Sequence, residues 1–230
     1  LDAIDEAVQR AEAVITAAET LRLSLLHEVL KRGIPGEHNG ERTVPDLGVI
    51  PASWKVAALG SLLRSVVYGT NVALSEGGAG APVVRMGDLV DGRVTQVALK
   101  TASAPIAPSL FLTDGDILLN RTNSLALVGK VGYVANLRRP TSFASYLLRL
   151  RVEPTATDSR WLFEVLHAPR TQERLGRMAT PGASQANINP TSLKSLLIAV
   201  PPLTEQRRIS HLIQAVRECG DTESSRADQL

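Results

Sequence analysis

Several predicted loops carry basic and amide side chains that suit contact with nucleic acid. The run Arg121-Thr122-Asn123-Ser124 follows a predicted strand, and Lys130 follows on a strand flanked by glycines. An arginine can hold guanine or a phosphate through two hydrogen bonds, and an asparagine can hold adenine in the same way. Arg138-Arg139-Pro140 is a compact basic turn that suits phosphate contact. The candidate DNA-contacting residues are Tyr68, Thr70, Asn71, Arg85, Arg121, Thr122, Asn123, Ser124, Lys130, Arg138, Arg139, Ser184, Gln185 and Asn187.

Each of these candidates also has a purely structural interpretation. Arg121 could pair with Asp114 or Asp116, and the Arg138-Arg139 turn could simply be solvated. The amides of Gln185 and Asn187 could satisfy nearby backbone groups, as amide side chains commonly do in turns. These alternatives stay open at the level of sequence.

The motifs of common catalytic sites are absent from the sequence. The four histidines are far apart and have no metal-ligand spacing, and no cysteine lies beside them. We find neither a phosphate-binding Gly-Lys-Ser/Thr loop nor a nucleophile elbow. The sequence therefore predicts a chain without a catalytic residue, a cofactor or a metal.

Composition is that of a globular protein. The chain has 230 residues, of which 44% are hydrophobic and only 3% aromatic, so the core must be built mainly from aliphatic side chains. The net charge of +2 does not by itself indicate nucleic acid. Cys219 is the single cysteine, which rules out a disulfide within the chain. No apolar run approaches a bilayer-spanning length and no signal peptide is visible, so we expect no membrane partner.

Two helical segments must position the predicted globe. Apolar residues from Leu1 to Ala18 recur in steps of three and four, which is typical of a coiled-coil seam, and Gly33 can end this helix. An ordinary amphipathic helix within its own domain is the alternative. The run Ile213–Glu218 repeats the spacing of Leu1–Glu6, which predicts a second helix, of which about the last ten residues should fray. The predicted subunit-interface residues are Leu1, Ile4, Val8, Ile15, Leu25, Ile209, Leu212 and Val216.

Strands dominate the predicted globe between these helices. The turn Val90-Asp91-Gly92 separates two predicted strands, Pro82–Leu89 and Arg93–Lys100, because Asp-Gly is a strong hairpin signal. Asp158 and Asn189-Pro190 are helix-start signals, and Arg170–Met178 reads as a further helix. The other predicted strands are Ile117–Leu119, Leu127–Ala135, Phe143–Val152 and Leu196–Val200. Pro201-Pro202 should stop the last strand, and Thr204 should cap the final helix.

Several of these runs resemble one family. The residues Pro201, Pro202, Leu203, Glu205, Gln206 and Ile209 resemble the end of a target-recognition domain in specificity subunits of type I restriction-modification systems. Further runs that resemble this family are Gly48–Trp54, Val84–Leu89, Asn120–Ser124, Val128–Gly132 and Pro181–Gln185. The resemblance covers essentially the whole chain. Because the chain also opens inside a helical pattern without an initiator Met, we expect a piece of a longer or engineered chain.

The resemblance implies an α+β fold, in which a mixed α/β target-recognition globe is flanked by long helices that form an antiparallel coiled coil. It implies a spacer helix at 1–33, a linker at 34–47, a target-recognition domain at 48–203 and the start of a second spacer helix at 204–230. The implied partners are double-stranded DNA, the methyltransferase subunits, the restriction subunit and a second copy of the chain in the prokaryotic cytoplasm. Two alternatives stay open: the recognition end of a fused restriction-methylation enzyme, and a coiled-coil scaffold that does not bind DNA.

Overall fold

A computed structural model describes residues 2–182 and 185–227 of the chain. Within the helices, the side chains of residues 2, 3, 19, 22, 23, 26, 27 and 216–227 are not described. The α-helices of the described residues are α1 (Asp2–Arg32), α2 (Ser159–His167), α3 (Pro169–Met178), α4 (Pro190–Lys194) and α5 (Leu203–Ala227). The strands are β1 (Glu41–Val44), β2 (Gly48–Pro51), β3 (Lys55–Ala58), β4 (Leu63–Tyr68), β5 (Leu74–Ser75), β6 (Pro82–Val84), β7 (Leu89–Val90), β8 (Arg93–Val94), β9 (Lys100–Ala102), β10 (Ile117–Asn120), β11 (Thr122–Asn123), β12 (Val131–Tyr133), β13 (Ser142–Phe143), β14 (Leu147–Val152), β15 (Thr180–Pro181), β16 (Ala186–Asn187) and β17 (Leu197–Val200).

The chain divides into two compact units. Unit 1 consists of residues 1–55 and 199–230, and unit 2 consists of residues 56–198. The mixture of helices and strands agrees with the predicted α+β class. None of the helices that the structure describes is both long and apolar enough to cross a bilayer.

Unit 1 is built on contact between the two long helices, α1 and α5. Helix α1 ends where the sequence predicts, because Gly33 adopts φ +73° and its N–H donates to Val29 O. Val29 of α1 and Ile209 and Ile213 of α5 are buried. Helix α5 begins at Leu203 and runs to Ala227, beyond the point at which helix propensities predict fraying.

The predicted interface residues fall into four groups. Val8, Ile15 and Leu25 are half-buried, whereas Ile4 and Leu212 are exposed. Ile209 was predicted to contact another subunit, but its side chain is fully covered by its own chain. Leu1 and the side chain of Val216 lie outside the described residues.

The carboxylate of Glu205, in the first turn of α5, joins three segments of unit 1. Its side chain is 7% exposed. Its Oε1 lies 2.7 Å from His38 Nε2 and accepts from the Ile34 N–H at 3.3 Å, while Oε2 accepts from Trp54 Nε1 at 3.2 Å. Thr204, predicted to cap α5, instead lies inside the helix, since the Gln206 N–H already donates to Pro202 O. The Glu205 carboxylate therefore ties the end of α1 and the segment after it to the start of α5.

Unit 2 is organised around a six-stranded sheet with the order β4-β14-β10-β12-β8-β7. The aliphatic residues of β10 are fully buried, as their continuous apolar run predicts. One cluster of buried core residues consists of Val84, Leu89, Leu112, Leu118, Val134, Phe143 and Leu147. Smaller sheets have the orders β11-β16-β15 and β13-β6-β9-β5.

Local signals located several elements of unit 2 correctly. Asp158 caps α2 by accepting from the Trp161 N–H at 2.8 Å, and Asn189 caps α4. Asp91 and Gly92 both have positive φ between β7 and β8, as a two-residue hairpin turn requires. Helix α3 matches its prediction and begins with Pro169 at its first position.

Four predicted strands are shorter or divided. The run 82–89 is interrupted by a one-turn 3₁₀ helix at Met86–Asp88, and the run 93–100 is broken near Ala98, which has φ +51°. The run 127–135 forms a strand only at Val131–Tyr133, after Gly129 at φ +89°. The run 143–152 is divided between β13 and β14. The predicted linker at 34–47 contains β1, which pairs with β2 as a hairpin.

Two arginines lie beside a buried aspartate within the sheet of unit 2. Arg151 donates to both carboxylate oxygens of Asp116, at 2.7 and 3.0 Å, and the Thr113 N–H donates to the same group. Arg149, only 3% exposed, lies 3.9 Å from Asp116 and donates to Phe111 O. Burial lowers the pKa of Arg149, and the hydrogen bond to Asp116 raises the pKa of Arg151. The Asp116 carboxylate thus offsets part of the cost of desolvating two positive charges, Arg149 and Arg151, on strand β14.

Candidate nucleic-acid interface

Sheet topology brings Tyr68 and Arg121 to the same edge of unit 2, by which we mean the end of the six-stranded sheet at which strands β4 and β10 finish. Strands β4 and β10 are both antiparallel to β14, which lies between them, so they run in the same direction. Tyr68 is the last residue of β4, and Arg121 directly follows the last residue of β10. The guanidinium carbon of Arg121 lies 5.1 Å from the centroid of the Tyr68 ring, which is within cation–π range.

A second sheet brings Asn187 to Arg121. Thr122 pairs with Asn187, and Asn187 pairs on its other side with Thr180. Arg121 Nη2 donates to Asn187 Oδ1 at 2.8 Å, and Thr122 Oγ1 donates to the same oxygen at 3.4 Å. The predicted polar loops at 121–124 and 182–187 therefore meet through backbone pairing as well as through side chains.

These residues surround an open cleft of about 530 Å³, which we call the Arg121 cleft. It is lined by Tyr68, Arg121, Thr122, Thr180, Pro181, Gly182, Gln185, Asn187, Asn189 and Pro190. Among the described residues of this lining, Arg121 is the charged one, and none is a carboxylate. The cleft is therefore suited to an electron-rich group such as a phosphate oxygen or the acceptor edge of a base.

The alternative pairing of Arg121 with an aspartate is wrong in this structure. Asp116 is bonded to Arg151, and Asp114 accepts from the backbone N–H groups of Asn136 and Leu137. Arg121 instead bonds to Asn187, and its buried Nε has no hydrogen-bond partner among the described residues.

Tyr68 lines the cleft, but its two neighbouring candidates do not. Thr70 is buried, and its hydroxyl oxygen accepts from the Val72 N–H at 3.1 Å, so its side chain stabilises a turn. Asn71 is exposed next to it. Arg85 holds Asp88 through Nε and Nη2, both at 3.1 Å, and this bond raises the pKa of Arg85.

The remainder of the 121–124 loop is engaged locally. Asn123 Nδ2 lies 3.0 Å from Met86 Sδ, and its Oδ1 accepts from the Ser124 N–H at 2.8 Å. Both ends of this amide therefore have partners, which disfavours the bidentate adenine contact that an asparagine here could make. Lys130 is exposed directly opposite Asn120, at the same sheet edge as Arg121.

The basic turn at Arg138-Arg139 does not join the cleft. It follows the end of β12 at Tyr133, whereas Lys130 precedes the other end of the same strand. Both arginines are exposed, and the Arg138 N–H donates to Gln96 Oε1. The structure thus separates this turn from the other predicted loops.

Five lining residues were missed as site residues by the sequence reasoning: Thr180, Pro181, Gly182, Asn189 and Pro190. Asn189-Pro190 was recognised only as a helix start, and Thr180 carries no local signal because its position depends on pairing with β16. Gln185 lines the cleft as predicted, while Ser184 lies outside the described residues. In the part of the chain that the structure describes, no cluster of three or more potential metal ligands occurs.

A family model, individual protein sequences and a solved structure all relate this chain to the same kind of protein. The family model described as type I restriction modification DNA specificity domain matches residues 51–230. The chain is 26% identical over 180 residues to the protein of Methanocaldococcus jannaschii described as the type I restriction enzyme MjaX specificity subunit, which covers 77% of this chain and 42% of that protein. It is 25% identical over 166 residues to the type I restriction enzyme EcoKI specificity subunit of Escherichia coli, covering 70% of this chain and 36% of that protein.

A solved structure has the same fold over nearly the whole chain. The HsdS subunit from Thermoanaerobacter tengcongensis superimposes with a TM-score of 0.62 at 22% identity, covering 98% of this chain and 50% of that one. The chain therefore spans about half the length of these relatives, or less. Since the family model covers well over half of the sequence, the chain belongs to the family of type I restriction-modification DNA specificity domains.

Proposed function

We propose that this chain selects one half of a split target in double-stranded DNA and performs no reaction itself. In this proposal the recognition domain, assigned to 48–203, approaches the major groove with the Arg121 cleft. The meeting of Arg121, Tyr68 and Asn187 in a cleft whose described lining residues include no carboxylate is the observation that carries the proposal. Backbone phosphates would be held by exposed cations near the cleft, and base edges by the cleft itself.

The two candidate cations at the sheet edge should have different roles. Arg121 is half-buried and held by its neighbours, so it suits contact with a base edge. Lys130 is exposed at the same edge, where a flexible ammonium suits contact with a phosphate. Arg138 and Arg139, which do not line the cleft, would contribute at most further phosphate contacts.

We further propose that α1 and α5 form an antiparallel coiled coil that sets the spacing between half-sites and docks the methyltransferase subunits, which the restriction subunit joins. The exposed apolar residues Ile4 and Leu212 support a further contact along these helices, either with a partner subunit or with a second copy of the chain. A two-fold dimer through the helices would read a palindromic split target.

Binding measured against salt concentration tests the DNA-reading role. A duplex enriched by random-site selection would be titrated with the parent chain and with Arg121→Ala, Lys130→Ala and Arg64→Ala. Arg121→Ala should cost about 1–3 kcal/mol and relax sequence preference, whereas Lys130→Ala should weaken all duplexes alike and reduce the salt slope by about one.

Arg64→Ala serves as the control, because Arg64 is exposed near the start of β4, away from the edge that carries Tyr68. It removes the same charge but should change affinity little. If neither Arg121→Ala nor Lys130→Ala changes affinity or its salt dependence more than this control, the assigned DNA-reading edge is wrong.

A further inference from the structure

The orientation of the Asn187 amide is fixed by its neighbour. Arg121 carries only hydrogen-bond donors, so the atom of Asn187 that faces it at 2.8 Å must be the carbonyl oxygen Oδ1. Thr122 Oγ1 also donates to this oxygen. The acceptor end of Asn187 is therefore occupied within the protein, and its Nδ2 group, with two donors, is the end left to face a ligand.

The amide oxygen of Asn189 is also occupied within the protein, but by a backbone group. Its Oδ1 accepts from the Thr191 N–H at 2.8 Å as the cap of α4, so this oxygen is also occupied. The cap uses only this oxygen and does not use the two N–H donors of the amide nitrogen. Asn189 lines the Arg121 cleft, and it can therefore offer a second amide donor there.

Arg121 completes a donor set in the cleft. A guanidinium has five N–H donors and no acceptor, and one donor is given to Asn187. The Tyr68 ring at 5.1 Å and the bond to Asn187 hold the guanidinium at the cleft. The hydroxyl groups of the lining and the Gln185 amide can either donate or accept a hydrogen bond. The donors of Arg121, Asn187 and Asn189 therefore determine that the cleft favours a ligand with acceptors.

We infer that the Arg121 cleft selects guanine, through the N7 and O6 acceptors that this base presents in the major groove. Guanine is the base whose major-groove edge offers two acceptors, which matches the fork of an arginine. Adenine and cytosine would each bring an amino donor against Arg121 and Asn187, and thymine offers one acceptor beside a methyl group. This inference rests on the proposed DNA-reading function and specifies the base that the cleft reads.

A phosphate oxygen shares the acceptor chemistry, so the experiment must separate the two sources. A half-site would first be obtained by random-site selection with the whole chain. Each guanine in that half-site would then be replaced in turn by 7-deazaguanine, which lacks the N7 acceptor, or by inosine, which keeps both N7 and O6 and loses only the amino group in the minor groove. One position should lose affinity about fivefold or more with 7-deazaguanine and retain it with inosine.

Two variants connect that guanine to the cleft. Arg121→Lys keeps the charge but loses the fork, so the preference for guanine over adenine at that position should fall by about 5- to 150-fold while binding to unrelated duplex is retained. Asn187→Asp keeps an oxygen for Arg121 but replaces the amide donor with a carboxylate oxygen. It should therefore weaken binding of the guanine duplex at least tenfold.

The control for added charge is Asn39→Asp, because Asn39 is exposed in unit 1 and outside the cleft. It should leave both affinity and base preference unchanged. Enrichment of a half-site in which no guanine responds to 7-deazaguanine would overturn the guanine assignment but leave DNA reading intact. So would an unchanged guanine preference in Arg121→Lys, which would point to a phosphate contact. Failure to enrich any sequence would instead overturn the proposed function, and the guanine inference with it.

Discussion

Removal of the Glu205 carboxylate should strongly destabilise unit 1. In Glu205→Ala, the Trp54 indole N–H and the Ile34 N–H lose their acceptor, and His38 Nε2 loses its partner. Trp54 is 2% exposed, so its N–H would be left almost without solvent. A buried donor without a partner costs about 1–3 kcal/mol. Because water can enter the vacated space and satisfy some of these donors, we expect a total loss of about 3–5 kcal/mol in the free energy of unfolding.

Glu205→Gln separates the effect of charge from that of shape. Glutamine keeps one acceptor oxygen. Its amide nitrogen, however, would replace the second carboxylate oxygen and could not accept the hydrogen bond that this oxygen now accepts. The expected loss is about 1–3 kcal/mol, smaller than for alanine. Glu41→Ala removes an exposed carboxylate from the same unit and should change stability by no more than about 0.5 kcal/mol.

The positions of the two tryptophans allow the unfolding of unit 1 to be monitored separately from that of unit 2. Trp54 lies in unit 1 and Trp161 in unit 2, and they are the only tryptophans of the sequence. Trp161 Nε1 is buried without a hydrogen-bond partner in the described residues, so Trp161→Phe removes no hydrogen bond found there. In that background, urea unfolding monitored by fluorescence reports on Trp54 and hence on unit 1. If Glu205→Ala shifts the urea midpoint no further than Glu41→Ala, Glu205 does not stabilise unit 1 in the way proposed.

Two further substitutions test the positions that shape unit 2. Asp116→Asn should lower the free energy of unfolding by about 3–5 kcal/mol, because Arg151 loses its ionic partner and Thr113 loses its charged acceptor inside the sheet; a loss below 1 kcal/mol in urea unfolding would contradict this. Gly129→Ala should cost about 1–3 kcal/mol, because φ is +89° and an added Cβ would lie 3.1 Å from Leu175 Cβ; unchanged thermal unfolding would show that the backbone adapts without strain.

Elements with local start and stop signals could be predicted from the sequence. Gly33 ends α1, Asp158 caps α2, and Asp91-Gly92 turns between β7 and β8. In each case the signal and the structure it specifies lie within a few residues, so no knowledge of the rest of the fold is needed. The strand β10 could also be predicted, because a short continuous apolar run between turn residues is typical of a buried strand.

Features that depend on distant partners could not be predicted in the same way. Asp116 is bonded to Arg151 rather than to Arg121, and this choice is made by the register of β10 against β14. The hairpin β1–β2 lies in a segment rich in Pro and Gly, where no alternation of apolar residues reveals the strands. Thr204 has the chemistry of a cap, yet the helix starts earlier, at Leu203.

The candidate site combines both kinds of information. Its residue types were visible in the sequence, because Arg121, Gln185 and Asn187 are polar groups in loops next to predicted strands. Which of them meet was not visible, since it depends on the pairing of β11 with β16 and on the parallel directions of β4 and β10. The same pairing also fixes polarity: once Arg121 occupies the oxygen of Asn187, the amide can no longer accept from a ligand. In the inferred guanine contact, base preference therefore depends on hydrogen bonds made inside the protein, which a sequence of polar residues does not reveal.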